Sequence, residues 1–391
     1  MYNVFTEEMN FFIKVFQLFG LFPSNFLLKV YSLICFGLTI ATFICAFTVI
    51  PVLEDNNSLS LLVGGLVFVG VLLTHLMNVM QAFTSRNEQA KIYQKFDEID
   101  LLLSNKLLVK VDYKSLRRRL IYKYTLIFIT LAFIHVASIV SVTINKLFFN
   151  YYVLLILPVA IIRFRCIQNM FYVDLIKSKL HLMNTKLSDI INRNDDKMAF
   201  ILFADKLQKR DKKRIENGTL SFYDQIMTLK QIYGKIFDVC NLINDCFGWS
   251  LLFIVTQFFI EFTSNGYWLF LALEKVLEDS IATQSVCSML PITILLTTMA
   301  YSCFQCSAKA QQTGVLIHKI ERDINNDLQN ALIREFSLQL IHEPIEISAN
   351  GFFSINFTLI GGMSASTVTY LVILIQFQLS EIKKTTNSTT T

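Results

Sequence analysis

The sequence predicts an all-α membrane protein with seven transmembrane helices, the N-terminus cytosolic and the C-terminus extracellular. Three observations predict it. Of 391 residues, 53% are hydrophobic and only 17% charged, too few charges to cover the surface of a soluble chain this long. The apolar residues gather into runs of about 20, the length a helix needs to cross roughly 30 Å of hydrocarbon. Lys and Arg crowd into alternate connections, which marks those connections as cytosolic.

The elements follow in chain order. Residues 1–29 show no basic leader and no small-residue cleavage site. Phe5, Phe12, Phe16 and Phe19 recur there at helical spacing, which suits a cytosolic or interfacial amphipathic helix. Spans one to six occupy 30–304, near Val30–Val52, Leu59–Phe83, Ile121–Thr143, Tyr151–Val173, Phe247–Leu271 and Val286–Phe304. The second is the cleanest, with His75 as its titratable group; the fourth carries Arg163 and Arg165. Connections 53–58 and 144–150 are tiny and 272–285 is short, whereas 84–120, 174–246 and 305–355 are long, polar and helical in pattern. In 305–355, Ile317, Ile320, Ile324 and Leu328 form one stripe, predicting a packed amphipathic helix in a cytosolic anchor region. Pro344 stops that segment ahead of the seventh span, 356–380, and residues 381–391 form an outer tail.

Orientation rests on counting basic residues. Of 35, the N-terminal segment and the three long connections hold 28, and the opposite side only Lys146, Lys275, Lys383 and Lys384. The sequons agree: Asn56 and Asn387 would face outward as glycosylation acceptors, while those at Asn217 and Asn356 would face the cytosol and stay bare. An inside N-terminus disfavours the G-protein-coupled class of seven-helix receptors. Neither Asp-Arg-Tyr after the third span nor Asn-Pro-x-x-Tyr in the seventh is present.

Composition also excludes other functions. A net charge of +5 with no basic run interleaved with aromatics gives no nucleic-acid surface; Lys206 to Arg214 reads as an inside-orienting segment. The eight cysteines place no pair in an outer loop, and Cys303-x-x-Cys306 lacks the second pair a structural zinc needs. No metal or cofactor is expected. With no phosphate loop, HExxH or GxSxG, no enzyme is expected either.

The seventh span reads FTLIGGMSASTVTYLVILIQFQLS. Wound as a helix, it puts Gly362, Ser366, Thr369, Ile373, Gln376 and Ser380 on one face, nearly all small or polar. Such a face avoids lipid. It can pack a neighbouring helix through small residues, or line water in a shared pore. In the second case Ile373 and Phe377 would form hydrophobic rings that gate by dewetting, with Gln376 between them.

Thr369-Tyr370-Leu371-Val372-Ile373-Leu374-Ile375-Gln376-Phe377 matches the Thr-Tyr, five hydrophobic residues, Gln-Phe signature of insect gustatory receptors at every position. It lies in the last span near the C-terminus, as in that family. Ser337 to Phe353 (SLQLIHEPIEISANGFF) also resembles the family's approach to its seventh helix. The resemblance implies a taste receptor acting as a ligand-gated, non-selective cation channel, opened by a small-molecule tastant, a sugar or a bitter compound. It implies a homotetramer or a heteromer with related receptors, in the plasma membrane of a sensory neuron's dendrite. Seventh helices would surround the pore, Ser366, Thr369, Tyr370, Ile373, Gln376, Phe377 and Ser380 would form pore and gate, and the cytosolic helices would anchor subunits together. An odorant receptor subunit requiring a co-receptor is the alternative within the class. A transporter or scaffold is the alternative outside it, though no internal repeat supports one.

The resemblance further implies a ligand pocket in the outer half of spans two to six. At that depth lie His135, Ser138, Tyr152, Glu261, Tyr267, Trp268, Thr293 and Thr297. Each has a plain structural reading too: His135 as a hydrogen-bonded packing residue, Tyr267 and Trp268 as an interfacial belt. Glu261 inside a span is costly unless paired or wetted. Arg163, Arg165 and Glu261 fall near mid-membrane, predicting a buried ion pair beside the pocket, unless the arginines snorkel and Glu261 is protonated.

Overall fold

The computed structural model describes the chain outside 1–3, 23–29, 32, 35, 39, 42–43, 45–57, 145–148, 205–221, 278, 321–326 and 390–391. Its described elements are helices α1 (Val4–Glu8), α2 (Asn10–Leu18), α3 (Ser58–Thr84), α4 (Arg86–Leu101), α5 (Tyr113–Ile144), α6 (Phe149–Ala204), α7 (Phe222–Leu273), α8 (Asp279–His318), α9 (Asp327–His342) and α10 (Phe357–Thr389), with a π-helical turn at Leu102–Lys106. Among the described residues, six helices are long and apolar enough to cross a membrane: α3, α5, α6, α7, α8 and α10. They coincide with predicted spans two to seven. The first predicted span, Val30–Val52, lies mostly outside the described residues, and those described between 30 and 44 are helical.

The long polar connections are largely continuations of the spans. α6 runs for 56 residues and α7 for 52. At 1.5 Å per residue each reaches about 80 Å, far more than a bilayer core requires. With no Gly or Pro between Ile191 and Asp205, nothing in the sequence ends α6 where the hydrocarbon ends. The ends of α6, α7 and α8 that run on past the apolar stretches pack with one another and with α4 and α9.

Two buried charge clusters hold this extended bundle. Lys179 of α6, fully buried, gives Nζ to both oxygens of Asp100 at 2.6 and 2.7 Å, and Tyr113 Oη donates to the same carboxylate at 2.7 Å. Asp174 accepts Lys123 Nζ at 2.6 Å, Tyr124 Oη at 2.7 Å and Lys177 Nζ at 2.9 Å. Charges removed from water survive only when matched this closely.

Two sequence expectations are corrected. The N-terminal aromatic row does not meet a lipid interface. Phe5, Phe12 and Phe16 are buried in the bundle, Phe12 against Phe171 at 4.6 Å and Phe5 against Phe96 at 5.3 Å, while Phe19 stacks on Phe164 at 3.6 Å. The stripe Ile317 to Leu328 is not one helix: α8 ends at His318, α9 begins at Asp327, and Ile324 lies outside the described residues. Ile317 and Ile320 are buried, but Leu328 is exposed at the start of the new helix.

Residues 343–356 lead into the last helix along α7. Tyr233 Oη donates to Glu343 O at 2.9 Å, and Asn244 donates to Glu346 O at 2.9 Å and accepts Ser348 N at 3.1 Å. The hairpin turns through Asn350 (φ 51°) and Gly351 (φ 78°). It rests on Gly248, where a Cβ would lie 2.8 Å from Asn350 N.

Candidate functional site

Two features carry chemistry: a small cavity where α3, α6, α7 and α8 meet, and the surface of α10. The cavity is lined by Val71 of α3, Val159, Ile162 and Arg163 of α6, Gln257, Phe258 and Glu261 of α7, and Ile292 and Leu295 of α8. Its free space is about 10 Å³, room for a single water molecule. A guanidinium, a carboxylate and an amide thus converge on an otherwise apolar space, the composition of a small-molecule site. Gln257 reaches it because α3 has glycine opposite: a Cβ at Gly70 would sit 2.1 Å from Gln257 Oε1. Its Nε2 donates to Val67 O at 3.3 Å.

Arg163 and Glu261 therefore share one cavity. Arg165 does not join them, which corrects its place in the predicted ion pair. Two residues on from Arg163, a little over half a turn, it sits on another side of α6, where its nitrogens donate to Cys246 O at 2.7 Å, Gln168 Oε1 at 2.8 Å and Ser250 Oγ at 3.3 Å. Its guanidinium lies over the Phe247 ring at 3.9 Å. A backbone carbonyl and two neutral side chains hold this fully buried cation without a carboxylate.

Of the other predicted ligand residues, none lines this cavity. Tyr267 is fully buried on the opposite side of α7, where its hydroxyl donates to Gln378 Oε1 at 2.8 Å. Trp268 packs towards α3, 3.7 Å from where Gly64 would carry a Cβ. Thr293 and Thr297 give their hydroxyls to their own helix, at Met289 O (2.9 Å) and Thr293 O (2.6 Å). His135 is half-buried and Ser138 buried on α5, and the side chain of Tyr152 lies outside the described residues. Sequence reasoning missed Gln257, although a polar residue one turn before Glu261 in the same span was the available signal.

The last helix is almost bare. Only 6% of its most apolar window is buried, against 44% or more for α3, α6, α7 and α8. It touches the protomer along Met363, Thr367, Leu371, Leu374 and Gln378, positions three or four apart that form one face. Thr263 Oγ1 donates to Thr367 Oγ1 at 3.4 Å, and Phe259 meets the Tyr370 ring edge-on at 5.8 Å. The predicted wet face points elsewhere: Gly362, Ser366, Thr369, Ile373, Gln376 and Ser380 are all exposed, as is Phe377. Asn387 lies where α10 continues past the predicted span, with its side chain outside the described residues, and Asn56 lies outside them altogether.

Comparison with known proteins fits this geometry. Residues 9–381 match the model of a family described as 7tm chemosensory receptor. The candidate gustatory receptor 2a of Drosophila melanogaster is 25% identical over 343 residues, 80% of this chain and 77% of that one. Gustatory receptor 23a of the same species is 32% identical over 197 residues, 49% of this chain and 52% of that one. The olfactory receptor OR5 of Machilis hrabei, solved in complex with eugenol, superposes with a TM-score of 0.65 at 11% identity, covering 94% of this chain and 98% of that one.

Proposed function

Because the chain belongs to the 7tm chemosensory receptor family, a family of multi-pass membrane receptors and not of enzymes, we propose that it is a taste receptor that conducts cations when a small molecule binds. The observation that carries this reading is the exposed polar row on α10. Its own protomer leaves this helix uncovered with Ser366, Thr369, Gln376 and Ser380 in line; Thr369 and Ser380 give their hydroxyls to Ala365 O and Phe377 O, but the Gln376 amide needs a wet or polar neighbour in a bilayer. Several subunits arranged with these rows inward supply one. Ile373 and Phe377 then close the conduit by excluding water, and Gln376 gives a hydrogen-bonding ring between them.

The cavity is the ligand site in this reading, with Arg163, Gln257 and Glu261 as its polar contacts. A polyol would find few partners among its apolar walls, so the lining favours an apolar compound with one or two polar groups. Space for only one water means that a ligand must widen the site, and it therefore favours whichever arrangement is already wider. α7 links the two features. One side carries Gln257 and Glu261 to the cavity, and the other carries Phe259, Thr263 and Tyr267 to α10.

Expressing the chain alone in cells and recording current across a tastant panel tests the reading. Ligand-evoked cation current without a partner, altered in conductance by Gln376→Ala, is expected. Current that requires a co-receptor would favour an odorant receptor subunit, a class the OR5 superposition keeps in view; no current under either condition would refute conduction.

A further inference from the structure

A basic cluster stands where the ends of α5, α6 and α8 on the side assigned to the cytosol meet, away from the cavity and from the polar row of α10. Lys123 ties these helices together, giving Nζ to Asp174 at 2.6 Å and to Ser302 Oγ at 2.8 Å. One turn further in on α5 stands Arg119; two turns further in stand His181 on α6 and Lys309 on α8. The helices still touch at that depth, where Asn184 Nδ2 donates to Lys309 O at 2.8 Å. Arg119 and Lys309 both lie within electrostatic reach of the His181 ring, and Arg119 and His181 are exposed. Among the described residues, neither Arg119 nor Lys309 is in an ion pair, and Asp174 is already matched by Lys123 and Lys177.

The depth and the flank of this cluster identify its occupant. Measured from the ends of the predicted spans, the two cations Arg119 and Lys309 and the His181 ring, whose proton affinity burial and the two charges lower, lie about 3–12 Å beyond the hydrocarbon, in the headgroup layer. Outward from Arg119, the same face of α5 exposes Tyr122, Leu126, Ile129 and Phe133, at steps of three and four. That order is cation, interfacial ring, then bare hydrocarbon, the profile of a phospholipid from headgroup to chains.

We propose that Arg119, His181 and Lys309 bind the phosphorylated headgroup of an anionic inner-leaflet lipid of the phosphoinositide class, its chains lying on the exposed face of α5. The inference rests on the inward orientation of these helix ends but not on ligand gating. It predicts that full-length protein in neutral detergent binds fluorescent dioctanoyl phosphatidylinositol bisphosphate and discriminates against dioctanoyl phosphatidylcholine. Each basic residue near a membrane surface is worth about a fivefold change, so Arg119→Gln with Lys309→Gln should weaken binding about twenty-fivefold. The charge-preserving pair Arg119→Lys with Lys309→Arg should retain it, and Lys309→Gln alone, about fivefold weaker, decides the matter if the double variant fails to fold. Equal binding of the choline lipid, wild-type affinity in the neutralised variants, or displacement by an equal concentration of inorganic phosphate would overturn the lipid site. Orientation is read separately: a cysteine placed by His181→Cys should resist membrane-impermeant maleimide on intact cells, and labelling from outside would move the cluster to the wrong leaflet.

Discussion

Removing the Tyr267 hydroxyl probes how the cavity and α10 communicate. Tyr267 is fully buried and Gln378 is 3% exposed, with the hydroxyl 2.8 Å from the amide oxygen. Tyr267→Phe therefore leaves a buried carbonyl without its donor. In a water-soluble core that costs about 1–3 kcal/mol. Between membrane helices the measured effect averages about 0.6 and reaches about 1.7 kcal/mol, because an undocked helix also finds partners, and this smaller scale applies here. The hold of α7 on α10 should thus weaken about three- to twentyfold. In the proposed gating a ligand must widen the cavity, so the unliganded, closed arrangement is the one that keeps this contact and loses stability without it. Resting current should rise, and the half-maximal tastant concentration should fall by no more than the same factor. Patch-clamp concentration–response curves for Tyr267→Phe, Gln378→Leu and the double variant measure this. The double should shift no further than either single, since both remove one bond. Additive shifts, or no shift in Tyr267→Phe at wild-type surface density, would refute the coupling.

Asp100→Asn strands a fully buried lysine charge at Lys179 and should cost about 3–5 kcal/mol in thermal unfolding of the purified protein, while Asp100→Leu with Lys179→Met should recover most of it. Gly248→Ala pushes a methyl to 2.8 Å from the Asn350 backbone, which cannot rotate away; it should cost about 1–3 kcal/mol and, by shifting the entry to α10, raise basal current. Glu261→Gln and Arg163→Met, made singly and together, should show non-additive losses of tastant response, and additive losses would separate the two residues functionally.

What could be read from the sequence was whatever repeats along one helix. Six apolar runs became six helices, and the row from Gly362 to Ser380 is exposed as one face, because periodicity reports which side chains share a side. The partner of that side is non-local, and there the reading failed. The phenylalanines of α1 and α2 have the spacing of an interfacial helix and also of a core helix; only the presence of Phe96 and Phe171 in the fold decides. Arg165 looked like half of an ion pair because a sequence displays carboxylates but not the Cys246 carbonyl that takes the charge. Tyr267 falls to the ligand on depth alone, yet residues of one helix in the same half of the bundle can face opposite sides, Glu261 towards the cavity and Tyr267 towards α10.

The signature itself has a physical meaning that the fold makes plain. From Thr369 to Phe377 no residue is buried, and only Leu371, Leu374 and Ile375 are even partly covered. Within it Tyr370, Leu371 and Leu374 touch the protomer, and the remaining exposed positions do not hold it together, so their chemistry acts on whatever covers them. The bundle-facing side of α10 is already occupied by α7, which leaves the polar row and the flank bearing Tyr370 and Phe377. Thr369 and Ser380 turn their hydroxyls back to Ala365 O and Phe377 O of their own helix, but lipid is a poor cover for the row because hydrocarbon satisfies no amide at Gln376. A second copy facing row to row would bury it, but would leave Gln376 stacked on its own symmetry mate in a dry contact. A closed ring lets every row face the same water while each flank packs on the next subunit, and it does so without an open edge. In the proposed reading, the arrangement that satisfies this surface is the one in which it encloses a conduit.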